Sequence, residues 1–354
     1  MAGWFKDALA AALYAAAGSY LFLELASRRL ICIRSSRLQR IALLAAFGVL
    51  VPGAAVAGWS VKGAPLRAFA LPAAVLAMGA AYEGFMALQR HRSRGSHPTR
   101  RGPAVRRYGV TTTELDVLHY ALSLPGWRGR PLRVAHLSDL HAGPAMPVAY
   151  YQRVWAAIRD EQPDIVFMTG DAVTRRSDLP WLPAALSLPA PPLGAYAVLG
   201  NHDQWAGGAA VADCLRAAGF DVLHNGSRTV ATPDGQPLLV AGCEDPWSAE
   251  RWQPWRPPSD PGTAVLALTH TADRVYRLAD AGATAVFAGH YHGGQFRLPL
   301  LGAVVLPSRL GRRFVHGHFR VRGTHLFVSA GVGASGPALR IACPPDVLIV
   351  EIGS

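Results

Sequence analysis

Residues 195–203 read Ala-Tyr-Ala-Val-Leu-Gly-Asn-His-Asp, and this stretch decides the fold class. Its short apolar run reads as a buried strand. Gly200 then lets the backbone turn tightly, and an amide, an imidazole and a carboxylate follow in Asn201, His202 and Asp203. The same grammar recurs on either side. Leu132–Leu137 runs into Ser138-Asp139-Leu140-His141, and Asp164–Met168 into Thr169-Gly170-Asp171. Ala264–Leu268 runs into Thr269-His270, and Thr284–Ala288 into Gly289-His290-Tyr291-His292. Helical stretches, among them Val148–Glu161, Gly207–Ala218 and Ala272–Ala281, lie between. Strands alternating with helices predict an α/β domain, and in open α/β sheets ligands bind outside the carboxyl ends of the strands.

These strand ends carry the side chains that a two-metal centre needs. Carboxylate, amide oxygen and imidazole suit Mn, Fe or Zn. Two ions about 3.5–4 Å apart clamp the attacking and leaving oxygens of a phosphoryl displacement. In an extended chain residues i and i+2 point the same way, which predicts that Asp139 pairs with His141 and His290 with His292.

Taken in order, Asp139/His141, Gly170-Asp171, Gly200-Asn201-His202-Asp203, His270 and Gly289-His290-x-His292 resemble the full signature of the calcineurin-like metallophosphoesterase superfamily. Gly293-Gly294-Gln295, Pro307-Ser308-Arg309-Leu310-Gly311 and Cys343-Pro344-Pro345 are similar to its membrane-anchored bacterial branch. Tyr291 departs from that branch, where a small hydroxyl residue is usual, and bears on substrate access rather than on the metal site. The resemblance implies a two-sheet αββα sandwich preceded by an N-terminal transmembrane helical region. It implies that Asp139, His141, Asp171 and His292 hold one divalent ion, that Asp171 bridges, and that Asn201, His270 and His290 complete the second. Manganese is expected, with iron or zinc as alternatives. It implies that a hydroxide activated by both metals attacks phosphorus, that His202 faces the phosphate and protonates the leaving oxygen, and that Asp203 orients His202.

Three apolar stretches precede residue 90: Ala8–Ala26, interrupted by Glu24; Ile41–Val61, free of charge; and Ala68–Leu88, with Pro72 and Glu83. A bilayer core of ~30 Å needs about 20 apolar residues in a helix, so a membrane anchor is expected over residues 1–90. Lys6 alone before a long apolar run does not suit a cleaved signal peptide. Arg28, Arg29, Arg34, Arg37 and Arg40 follow the first stretch, and only Lys62 and Arg67 lie between the second and third. Arg90, Arg92, Arg94, Arg100, Arg101, Arg106 and Arg107 follow the third. Positively charged loops stay cytoplasmic. Three spans put both Arg-rich segments on that side, whereas two would split them. The expectation is a multi-pass inner-membrane protein. Residues 91–110 form a basic linker, either against anionic headgroups or free in solvent, and residues 111–354 form a cytoplasmic catalytic domain.

Hydrophobic residues make up 51% of the 354 and charged residues 16%, which argues against disorder. The net charge of +12 is confined to one end: residues 1–110 hold 15 Lys and Arg against 3 acids, and residues 111–354 hold 20 of each. A neutral catalytic region argues against a nuclease and against nucleic acid as a partner. Cys32, Cys214, Cys243 and Cys343 form no CxxC pair, which predicts reduced thiols. The expected partners are inner-membrane lipid and a phosphorylated small-molecule or lipid substrate, an amphiphilic phosphodiester or diphosphate. The resemblance to the membrane-anchored branch implies hydrolysis of UDP-2,3-diacylglucosamine as one alternative. A non-catalytic membrane scaffold is another, disfavoured because every ligand position is filled. His316-Gly317-His318 and the in-strand His136 read as structural. Trp247, Trp252 and Trp255 form an aromatic loop, structural or lid-like, and Leu298–Leu306 reads as a hairpin strand.

Overall fold

The computed structural model describes residues 2–30, 36–60, 69–100, 108–124, 127–256, 258–260, 262–299 and 302–354. Cys32, Arg34, Lys62, Arg67, Arg101, Arg106 and Arg107 lie outside them, as do two residues of the 298–306 stretch. The chain divides into two units, residues 1–92 with 304–313, and residues 93–303 with 314–354.

The first unit contains the long helices α1 (Ala2–Leu25), α2 (Ser36–Ser60) and α3 (Ala70–Ser93). All three are long and apolar enough to cross a membrane. They leave large apolar side chains such as Leu44, Val49 and Leu71 exposed, which lipid accommodates and water does not. Helices α1 and α2 approach through small residues. A Cβ on Gly18 would meet the Ala54 Cβ at 2.4 Å, and one on Gly58 would meet the Ala11 Cα at 2.8 Å. The acids Glu24 and Glu83 both find basic partners. Arg28 Nε lies 2.6 Å from Glu24 Oε2. Residues 304–313, expected within the catalytic domain, instead fold with the helices. There the Leu306 N–H donates to Ser27 Oγ at 3.3 Å, and Arg312 pairs with Glu83 and lies 3.7 Å from Glu24. An acid on an apolar helix needs such a partner.

The second unit is built on two large sheets. Strands β1 (Thr99–Arg100), β2 (Asp116–Ser123), β3 (Leu132–Leu137), β4 (Ile165–Thr169), β5 (Ala195–Val198) and β6 (Phe220–Val222) come first. Strands β7 (Ser227–Ala231), β8 (Pro237–Cys243), β9 (Ala264–Thr271) and β10 (Ala285–Gly289) follow. A short hairpin, β11 (Arg297–Leu298) and β12 (Gly302–Ala303), precedes β13 (Gly317–Val321), β14 (Thr324–Val328) and β15 (Asp346–Gly353). One sheet is ordered β1-β2-β15-β3-β4-β5-β6 and the other β13-β14-β10-β9-β8-β7. Strand alternation sorts the core. Val134, Ile165 and Phe167 pack with Leu266, Leu268, Phe287 and Phe327 between the sheets. Their neighbours Ala135, Val166 and Met168 face α4 (Val148–Asp160), α5 (Leu182–Ala185) and α6 (Asn201–Ala217). Helix α4 offers Tyr151, Val154, Trp155 and Ile158 at helical spacing, all buried. Helix α7 (Val275–Asp280) connects β9 to β10. The two-sheet sandwich is therefore the one expected. Strands β3, β4 and β5 run parallel, as do β9 and β10, so within each sheet the chemistry-bearing ends share an edge.

The stretch expected as a linker is folded where it is described. Helix α3 extends to Ser93, β1 pairs with β2, and Arg100 Nε lies 2.9 Å from Asp116 Oδ2. Pairing with an acid and adding an edge strand give these residues a protein partner.

Arg312→Ala should leave Glu24 and Glu83 without their shared cation. Because the pair is partly solvated, the loss should be about 1 kcal/mol. It should appear as a fall of a few degrees in the thermal unfolding of detergent-solubilised protein, partly recovered when Glu83→Gln is added.

Candidate metal centre

Asp139 and His141 follow β3, Asp171 follows β4, and Asn201, His202 and Asp203 open α6 directly after β5. His270 is the last residue but one of β9, and His290 and His292 follow β10. Main-chain bonds join the loops: the Asp139 N–H donates to Gly170 O and the His141 N–H to Asp171 O, both at 2.9 Å. The expected extended geometry is not what brings Asp139 beside His141, and His290 and His292 do not pair as expected but join different clusters. All four, with Asp171, adopt left-handed φ between 45° and 72°, so each chain turns sharply where its strand stops. Two glycines allow the loops to close. A Cβ on Gly200 would lie 2.1 Å from Asp171 Oδ1, and one on Gly289 would lie 1.9 Å from Ser138 Oγ.

Two buried triads result. Asp139, His141 and His292 offer ligand atoms within 4.8 Å of one another, and so do Asp171, His270 and His290. His292 Nε2 lies 3.3 Å from Asp139 Oδ1 and 3.2 Å from His141 Nε2. Asp171 Oδ2 lies 3.2 Å from His270 Nε2 and 3.7 Å from His141 Nε2, which puts this carboxylate at the junction of the triads. Asp139 Oδ1, Asn201 Oδ1, His270 Nε2 and His290 Nε2 are buried without a hydrogen-bond partner among the described residues. Buried polar atoms are ordinarily partnered, and orphaned oxygens and imidazole nitrogens at one set of strand ends fit divalent cations. The opposite ring nitrogens are held. His270 Nδ1 lies 2.6 Å from Thr169 O, and His141 Nδ1 lies 2.9 Å from Thr174 Oγ1. A proton donated from Nδ1 leaves Nε2 with its lone pair. Burial pushes the His141 imidazole down to about 3 and the Asp139 carboxyl up to about 6. Burial also opposes ionisation of Asp171, but His270 and His202 hold it well below its ordinary value.

His202 is half-buried, with Nδ1 3.0 Å from Thr174 O and its ring edge-on to His141 at 5.0 Å between centroids. Its N–H donates to Asp171 Oδ1 at 2.9 Å. Asp203 does not orient it, contrary to expectation. Asp203 is the third residue of α6 and its carboxylate accepts the Gly200 N–H at 3.0 Å and the Val173 N–H at 3.2 Å. It caps the helix and ties it to the loop after β4, while the Thr174 carbonyl holds the imidazole.

Tyr291 is buried. Its hydroxyl donates to Asp273 Oδ1 at 2.9 Å and meets Thr271 Oγ1 at 3.2 Å, which supports the turn after β9. His136 packs on Phe287, with Nε2 2.8 Å from Thr169 Oγ1. His316 pairs with Asp346, and His318 lies between Ser96 and His325, so both have structural partners. Cys214, Cys243 and Cys343 are free thiols. In the aromatic loop Trp252 is buried against Trp255. Trp247 instead reaches the second triad, its ring 4.9 Å from that of His290 and 5.5 Å from that of His270. Sequence reasoning missed this contact, the Thr174 carbonyl and the buried Arg340 beside His292. None lies in a strand-end motif.

The calcineurin-like phosphoesterase family profile matches residues 132–294. The chain is 34% identical over 236 residues to an uncharacterized metallophosphoesterase of Aquifex aeolicus (strain VF5), covering 64% of this chain and 86% of that protein. It is 29% identical over 263 residues to "Phosphodiesterase YaeI" of Escherichia coli (strain K12), covering 69% of this chain and 94% of the relative. It is 27% identical over 282 residues to "UDP-2,3-diacylglucosamine pyrophosphatase LpxG" of Chlamydia trachomatis, covering 62% and 83%.

The bonding of Asp203 sets an expectation for its loss. Asp203→Ala should cost about 1–2 kcal/mol through the lost helix cap, read by unfolding of metal-free protein. Stability equal to that of the unsubstituted protein would show that the two amides find other acceptors.

Proposed function

The chain belongs to the calcineurin-like metallophosphoesterase family, and from that premise we propose that it hydrolyses a phosphodiester or diphosphate of an amphiphilic, membrane-associated substrate. The observation carrying this reading is the meeting of two buried triads at Asp171, with orphaned ligand atoms in both. On this reading Asp139, His141 and His292 hold one divalent ion. Asn201, His270 and His290 hold the other, and Asp171 is shared. Manganese suits this set of oxygens and imidazoles, with iron or zinc as alternatives. Ions bound there would supply an acidified water and positive charge for the phosphoryl oxygens.

The chain's own part is geometry and one proton. The left-handed loops hold the carboxylates and imidazoles in place before a substrate arrives. His202 is left over from the triads. With Nδ1–H donating to the Thr174 carbonyl, Nε2 is free to carry a second proton, and the imidazolium form of His202 would give that proton to a leaving oxygen. Three membrane-apt helices support anchoring, and the arginine distribution supports an inner-membrane, multi-pass topology with the catalytic region in the cytoplasm. The relative named as a UDP-2,3-diacylglucosamine pyrophosphatase supports a diphosphate of lipid synthesis as the specific case.

Manganese-loaded protein in detergent should hydrolyse bis-p-nitrophenyl phosphate. No turnover on that diester, on p-nitrophenyl phosphate or on UDP-linked glycolipids would overturn the reading. His202→Ala should retain both metal equivalents and lose about 10²–10⁴-fold in turnover. The loss should be smaller for p-nitrophenolate than for an alkoxide, which needs protonation more. Asp171→Ala should remove metal and activity together. Unchanged turnover in metal-replete His202→Ala protein would remove His202 from the mechanism. For topology, a C-terminal reporter active only in the periplasm would reverse the orientation.

A further inference from the structure

Arg340 is wholly buried and forms no ion pair among the described residues. A guanidinium out of water and without a counter-ion is costly to bury, and an apolar side chain would fill the same volume without that cost. Its five N–H groups are instead spent on backbone carbonyls. Nε donates to Gly333 O at 2.8 Å, and Nη2 donates to Ala330 O at 2.7 Å and Gly331 O at 2.9 Å. Nη1 donates to His292 O at 3.4 Å.

Besides Cys343 O, which Nη1 reaches at 3.5 Å, the carbonyls that it gathers belong to two segments, and both bear on one triad. The segment 330–333 is the floor under Asp139. The Gly333 N–H donates to Asp139 O at 2.7 Å, and the Val332 N–H donates to Ser138 O at 2.9 Å. Gly331, at φ +75°, lies so close that a Cβ there would be 2.7 Å from Asp139 Cβ. The other segment is His292 itself. Arg340 Nη2 also lies 3.3 Å from His292 Nδ1. Arginine can only donate, and an imidazole that turns its Nε2 lone pair to a metal carries its proton on Nδ1. In that tautomer Nδ1 cannot accept from Arg340, so the carbonyl bonds alone do the holding. No contact of this kind joins Arg340 to Asp171, His270 or His290.

We propose that Arg340 is a positioning residue for one half of the metal centre, the Asp139–His141–His292 half, and leaves the Asp171–His270–His290 half unaffected. It does so by clamping the floor beneath Asp139 to the backbone of His292. The proposal rests on the reading that both triads bind metal.

The test is titration of Mn²⁺ into the full-length apoprotein in detergent, followed by calorimetry and metal analysis. The unsubstituted protein should take up two equivalents. Arg340→Met should keep one tight equivalent and bind the other about 10–100-fold more weakly, the usual cost of losing a group that orients a ligand. Arg340→Lys, which keeps the charge but cannot serve both segments at once, should fall between. In His270→Ala/Arg340→Met protein neither site should be tight. Adding Arg340→Met to His292→Ala should weaken binding little further, because both changes act on the same half. Equal weakening of both sites, or two unweakened sites with only a lower unfolding temperature, would make Arg340 a general stability residue and overturn the proposal. If Arg340→Met cannot be recovered folded, Arg340→Lys carries the same criterion of selective loss. Fewer than two equivalents in the unsubstituted protein would overturn the dinuclear reading beneath.

Discussion

The site depends on one backbone constraint, the left-handed turn taken where a buried strand stops. Asp139, His141, Asp171, His290 and His292 account for half of the ten non-glycine residues with positive φ among the described residues. Each such turn costs about 1 kcal/mol or more for a residue with a Cβ. The cost is sustainable because the turns are tied to one another. The loop after β3 donates to the loop after β4 through Asp139 and His141, and residues 332 and 333 donate back to Ser138 and Asp139. Glycines at 200 and 289 keep side chains out of the spaces that the carboxylates need. The strands behind them are buried save for Arg133, so no single loop can relax without disturbing a sheet. Side-chain direction at the centre is therefore fixed by the sandwich rather than by any ligand.

Such rigidity has an electrostatic consequence. Two carboxylates and four imidazoles are held together out of water, which shifts their proton affinities in opposite directions. Burial works against charging His270, yet Asp171 raises its imidazole to about 9. Asp139 is driven the other way, up to about 6, chiefly by burial. Divalent ions satisfy the same carboxylates and take the same imidazole lone pairs. Metal uptake and proton release are then two descriptions of one event.

The strand-end residues were legible because their signal is local. A short apolar run, a glycine or a small hydroxyl residue, and then Asp, Asn or His can be read without knowing what packs where. The third apolar helix was legible by length despite Pro72 and Glu83. Pro72 falls in the first turn of α3, where no intrahelical donor is lost, and Glu83 meets Arg312 from more than 200 residues away. That second fact has no local signature, and neither does the folding of residues 304–313 with the helices. Asp203 shows the same limit from the other side. Its position beside His202 suggested a partnership, but the carboxylate at the third helical position accepts the Gly200 N–H of the helix start and the Val173 N–H of the loop after β4 instead. The i+2 argument expected Asp139 and His141 to meet through a pleat, whereas their proximity comes from left-handed turns at both residues.

Charge distribution bears on how a substrate would reach such a centre. Residues 111–354 carry equal numbers of acidic and basic side chains, so this part of the chain provides little long-range field to draw in an anion. The basic excess lies entirely in residues 1–110, which contain the membrane-apt helices. A soluble anionic substrate would be served better by a positive catalytic face, since steering acts over about a Debye length, ~8 Å at physiological salt. A substrate already confined to a membrane needs no such face, because the anchor raises its effective concentration whatever the field. On the function proposed above, a neutral catalytic region joined to a strongly basic, apolar helical segment is the division of charge that favours encounter by confinement over encounter by attraction.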